Sequence, residues 1–140
     1  MAATHFSGPV VQGAGSVEVV TGATTLTAKD NGKTFFLDAA AGATVTLPAL
    51  AVGMRLKFIV TSAFATTNWV VDSAEGDNIS GNLIVAGAHV AAAAEDQINF
   101  VATAESVGDY IELIADTTNS QWIVSGVAGL SGGITATDPS

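Results

Sequence analysis

The chain has 140 residues, enough for one domain with one core, and is 49% hydrophobic but only 12% charged, about half the charged share of an ordinary soluble domain. Its 13 acidic against 4 basic residues give a formal charge of −9, which repels nucleic acid phosphates and anionic membrane surfaces and excludes them as expected partners. Cysteine is absent, which excludes disulfides and thiolate metal sites.

A sphere of this size with so few charges lacks side chains to cover its outside. Neutral Thr, Ser, Asn and Gly supply part of that cover, and the remaining apolar surface predicts burial against other chains. The start Met1-Ala2-Ala3-Thr4-His5-Phe6 has neither the basic nor the apolar segment of a secretory signal, so the protein is expected to stay where it is made. The longest apolar stretch, from Leu83 to Ala94, is broken by Gly87 and His89 and falls short of the roughly 20 residues of a membrane-spanning helix.

In chain order, residues 1–16 are small and Gly-rich, with Phe6, Val10 and Val11 set among them, and predict a flexible N-terminal arm. From Val17 onward, short runs rich in Val, Ile, Thr and Phe alternate with turn clusters. The strand candidates are Val17–Val20, Thr25–Thr27, Thr34–Leu37, Thr44–Leu47, Arg55–Thr61, Trp69–Asp72, Leu83–Val85, Ile98–Ala102, Tyr110–Ile114 and Gln121–Ser125, the first two forming one bent element. Turns are expected at Asp30-Asn31-Gly32, Ala41-Gly42, Val52-Gly53, Glu75-Gly76-Asp77-Asn78 and Asp116 to Ser120, whose residues accept positive φ or bond their own backbone. Alternation is clearest from Met54 to Val60, where Met54, Leu56, Phe58 and Val60 share one face while Arg55 and Lys57 share the other. Ala91 to Ala94 is assigned one helical turn at most. The fold expected is all-β, an antiparallel β-sandwich or barrel-like module of about nine short strands. Its β-domain covers residues 17–126, and residues 127–140 form a loose C-terminal tail.

No motif assembles a catalytic centre or a cofactor site. Gly129-Leu130-Ser131-Gly132-Gly133 fits the spacing of a nucleophile elbow, but no helix can follow it and both histidines precede it, so a flexible tail is expected. His5 and His89 stand far apart without neighbouring ligands, and each is expected to be structural. Asp72-Ser73-Ala74-Glu75-Gly76-Asp77-Asn78 gathers three carboxylates, but their spacing does not match a calcium loop and reads as a solvated turn. Glu95, Asp96 and Glu105 read as solubilising loop charges. Arg55 and Lys57 form a local positive spot that predicts either cross-strand pairing, for instance with Glu112, or contact with another subunit or partner.

Several segments carry a resemblance. They are His5-Phe6-Ser7-Gly8-Pro9-Val10, the run from Thr25 to Leu37, Gly42-Ala43-Thr44-Val45-Thr46-Leu47-Pro48, Asp77-Asn78-Ile79, the run from Glu95 to Val101, and Gly108 to Ile114 leading on to Trp122. Across nearly the whole chain these segments resemble the head decoration, or cement, proteins of tailed bacteriophages. The resemblance implies a homotrimeric, non-enzymatic β-module made in the host bacterial cytoplasm. It would dock on the capsid exterior where copies of the major capsid protein meet, with Phe6, Pro9, Val10 and Val11 of the arm at the contact. Two other classes remain open. One is a virion knob or fibre tip that stacks host glycans on Trp69, Trp122 and Tyr110, and the other is a hydrolase using Ser131.

Overall fold

Runs in which every second residue is large and apolar have one side to hide, and among the described residues twelve strands, rather than about nine, form two sheets with such sides turned inward. The computed structural model describes residues 16–74 and 76–139. In chain order the strands are β1 (Val17–Val20), β2 (Thr24–Thr25), β3 (Thr34–Leu37), β4 (Thr44–Thr46), β5 (Arg55–Val60), β6 (Trp69–Asp72), β7 (Asn78–Val85), β8 (Ala88–Glu95), β9 (Gln97–Phe100), β10 (Tyr110–Asp116), β11 (Gln121–Ala128) and β12 (Ile134–Thr137). A single turn of 3-10 helix, Ala28–Asp30, leads into β3. One sheet has the order β1-β3-β5-β10-β11-β7-β8 and the other β12-β9-β6-β4-β2.

The sheets are mixed rather than antiparallel. From β1 to β6 the chain alternates between them, so each strand returns to its own sheet pointing the same way as its predecessor there. Hence β1, β3 and β5 pair in parallel, as do β2, β4 and β6. Parallel neighbours need a crossover, and the intervening strand in the opposite sheet supplies it. From β7 onward, the β7–β8 and β10–β11 hairpins bring antiparallel pairing, although β7 lies parallel to β11.

Two expected non-strand segments are strands. Ala86 and Gly87 both hold positive φ, +50° and +78°, in the two-residue loop of a hairpin, so the Ala-rich segment from Ala88 runs back along β7 as β8. Alanine has little strand preference of its own, and the register of β7 overrides it. The expected tail contains β12, which pairs with β9 and buries Ile134, while the Asn99 amide donates to the hydroxyls of Thr137 and Thr135 at 2.9 and 3.4 Å.

The core lies between the sheets. Phe35 and Phe58 stack at 5.1 Å between ring centroids, and Trp69, Trp122, Phe100, Leu37, Ile79 and Ile111 are fully buried with them. Asp109 ties three segments together at its edge. Its carboxylate accepts hydrogen bonds from the N–H groups of Ser106 at 2.9 Å and Gly129 at 3.0 Å, and its carbonyl accepts from Val60 N–H at 2.8 Å. An Asp109→Ala variant leaves the two N–H groups that faced the carboxylate without a partner, so equilibrium urea unfolding should show a loss of about 2 kcal/mol. Among the described residues no helix is long and apolar enough to cross a membrane.

Candidate functional site

The two outer faces of this sandwich differ. On the five-stranded sheet, registered positions run Thr135, Asn99, Val70 and Thr44 in one row and Thr137, Gln97, Asp72 and Thr46 in the next. Apart from Val70 and the buried Asn99, these are the polar side chains expected of a wetted sheet. On the seven-stranded sheet the corresponding row is Val19, Phe36, Ile59, Tyr110, Val127 and Ile84, apolar across six neighbouring strands. A second apolar pair, Ile114 and Ile123, lies toward the other end of β10 and β11. Val17, Val19, Ile84, Ile114, Ile123 and Val127 are each between 40% and 58% exposed, and exposed apolar area of this kind on one sheet face marks a contact surface.

Between the two apolar zones runs a polar band. The register sets Lys57 opposite Glu112, and their charged groups meet at 3.3 Å. The Lys57 ammonium also sits 4.8 Å from the centre of the Tyr110 ring. Both partners are partly solvated, so the ion pair is worth at most about 1 kcal/mol, and its effect is to fix side-chain positions on the face. Lys57 thus makes the expected cross-strand pair with Glu112. Arg55 is exposed and makes no ion pair among the described residues, although its backbone N–H donates to Asn31 Oδ1 at 2.9 Å. At that edge of the face a groove of about 160 Å³ is lined by Lys33, Arg55, Lys57, Glu112 and Ile114, among others.

Lys33 is committed locally. Its Nζ lies 2.8 Å from Asp30 Oδ1 and 4.0 Å from Glu18, and the Asp30 hydrogen bond holds the ammonium above its ordinary pKa. Burial pushes the Asp30 carboxyl up, but the bonds from Lys33 and from Thr27 N–H outweigh it and hold the group below its usual value. The Thr27 bond belongs to a capping box that closes the 3-10 turn. At the end of β10, Asn119 and Gln121 donate to Asp116 at 2.8 and 2.9 Å and lower its pKa. On its outward strand positions the face thus carries Arg55 and Lys57 against Glu112 and Asp116, two charges of each sign, with Lys33 paired to Asp30 and Glu18 beside them, while the whole chain carries −9.

Of the other sequence candidates, Tyr110 stands in the apolar row of this face and His89 lies beside Ile84 at its end. Phe6, Pro9, Val10, Val11 and His5 lie outside the described residues, as does Glu75. In the acidic turn, burial raises the Asp77 carboxyl, and the Ser73 hydroxyl lies 3.0 Å from the carbonyl oxygens of both Asp77 and Asp96. Among the described residues no three histidine or carboxylate side chains form a metal-binding group. Ser131 sits exposed in the turn between β11 and β12, where Gly132 has φ +73° and a strand follows rather than a helix. His89 lies on the outer face, with Nε2 at 2.7 Å from Asn82 Oδ1. Trp69 and Trp122 are fully buried on inward-facing positions, which removes them as stacking surfaces for a sugar; Tyr110 is half-buried beneath Lys57.

The outer apolar face was missed as a set, although its signal was present. Runs such as Leu83-Ile84-Val85 and Trp122-Ile123-Val124 are apolar at successive residues, and a strand of that kind has both faces to cover. Searched against protein-family models, curated proteins and solved structures, the chain matches none of them.

Proposed function

We propose that this chain is a structural virion subunit that binds the outside of a tailed-phage capsid as a homotrimer and cements adjacent major capsid subunits against the pressure of packaged DNA. The observation that carries the assembly part is the apolar, locally neutral outer face of the seven-stranded sheet in a chain otherwise strongly acidic. The capsid part is supported by the resemblance to decoration proteins, which extends over nearly all of the sequence. An acidic module suits the outer side of a shell whose interior holds DNA. Residues 1–16, with Phe6, Pro9, Val10 and Val11, supply a small-residue arm of the kind that orders on contact, for example by adding a strand to a capsid edge. Three arms on one rigid trimer raise avidity by about 10²–10⁴ when their spacing matches the site. Bridging then opposes separation of neighbouring capsomers.

The test is cosedimentation with capsids stripped of the protein. The intact chain should bind to saturation. Deletion of residues 1–16 stops short of β1 and should preserve the circular dichroism spectrum while weakening capsid binding about 100-fold or more. Capsid binding retained by the deletion variant overturns the arm's role, and no binding by the intact chain overturns the capsid reading.

A further inference from the structure

We infer that the outer face of the seven-stranded sheet is where copies of this chain meet, the row from Val19 through Tyr110 to Ile84 on one copy being covered by the same sheet of its neighbours. The inference deepens the homotrimer part of the reading above and does not depend on capsid binding.

Three observations select a second copy as the occupant. The first is the contrast within one molecule. The outward rows of the five-stranded sheet are threonine, glutamine and aspartate around Val70 and a buried Asn99, whereas the seven-stranded sheet presents a whole row of valine, isoleucine, phenylalanine and tyrosine beside its polar band. Composition alone does not explain the difference, because both sheets draw on the same chain.

The second is charge. Two copies at −9 each repel through most of their surfaces. On this face Arg55 and Lys57 balance Glu112 and Asp116, so it is a surface on which like molecules approach without that penalty. A basic partner would be drawn instead to the acidic remainder of the surface. The exposed Arg55 also offers a guanidinium to a carboxylate of the adjoining copy at the rim of the contact.

The third is area. Seven strands span six spacings of about 4.8 Å, or about 29 Å, and roughly five residues along each strand add about 17 Å. The footprint is of the order of 500 Å² per copy, so two copies together bury about 1,000 Å², at the lower limit for a specific interface. The fixed Lys57–Glu112 pair at its centre and the short β-branched side chains around it lose little freedom on contact.

Light scattering on the purified full chain tests the inference. The native protein should have a mass that is a multiple of 14.0 kDa. Val127→Lys and Ile123→Lys should each raise the dissociation constant for self-association about 100-fold, with an unchanged circular dichroism spectrum. Thr135→Lys, on the outer face of the other sheet, should leave the mass as it was. If one lysine variant does not fold, the second still reports, and so does the native protein, whose melting temperature should rise with its concentration.

A native monomer at all concentrations overturns both this inference and the trimer reading. A multimer that persists in both lysine variants overturns the inference but leaves the trimer reading intact. A multimer lost on deletion of residues 1–16 and kept in the lysine variants assigns assembly to the arm and likewise overturns it. A dimeric mass abolished by the lysine variants supports the face and overturns the trimer.

Discussion

Trp122→Ala should cost about 3–5 kcal/mol, a large part of the stability of a domain this size. Trp122 is fully buried on the inward side of β11, opposite Ile79 of β7, in the central region of the larger sheet. Removing the indole leaves a cavity that strands held by hydrogen bonds on both sides cannot collapse to fill. The indole Nε1 has no hydrogen-bond partner among the described residues, and the role assigned to the side chain here is volume. Trp122→Phe should therefore retain most of the stability, losing about 1.5 kcal/mol or less. Urea unfolding followed by the fluorescence of the remaining Trp69 measures both variants. Equal losses for alanine and phenylalanine would show that volume is not what Trp122 contributes.

The second large effect comes from adding one methyl group. Gly81 lies in β7 beside the register shift against β8, and a Cβ built there falls 2.0 Å from the carbonyl oxygen of Val124. Its φ of +153° is a further strain on any L side chain. Gly81→Ala must push β7 away from β11 and lengthen the parallel ladder that joins the β7–β8 hairpin to the rest of the sheet. A loss of about 3 kcal/mol or more is expected. Gly22→Ala is the control, since nothing lies within 4 Å of its added methyl and its backbone is not strained; it should change stability by no more than about 0.5 kcal/mol. Thermal melts of the two variants side by side check the contrast, and a Gly81→Ala protein as stable as Gly22→Ala would show that β7 and β11 are not packed this closely.

Both predictions concern β11, where the interplay of sequence and fold is plainest. Its alternation of buried Trp122, Val124, Gly126 and Ala128 with exposed Ile123, Ser125 and Val127 follows from the period-two geometry of any strand. The inward set was legible because one parity holds the largest side chains. Why a glycine stands at position 126 of this set was not, because its missing side chain makes room for the Tyr110 carbonyl and the Ile111 side chain of β10, a neighbour the sequence does not name.

The amino-acid sequence by itself determined that the chain is all-β, where most of its strands lie, and which parity of β5 faces the core, with Lys57 on the opposite side where it meets Glu112. These follow from local chemistry: side-chain volume, residue period and turn residues act over a few positions. Only the tertiary structure decided the parallel coil of β1 to β6, the pairing of Ala88–Glu95 with β7, the docking of Ile134–Thr137 onto β9, and the joining of Val19, Phe36, Ile59, Tyr110, Val127 and Ile84 into one row. Strand direction and neighbour identity depend on the path the chain takes between sheets. An alternating pattern is the same in a parallel and an antiparallel ladder, so residues far apart in sequence acquire a common surface only once that path is set.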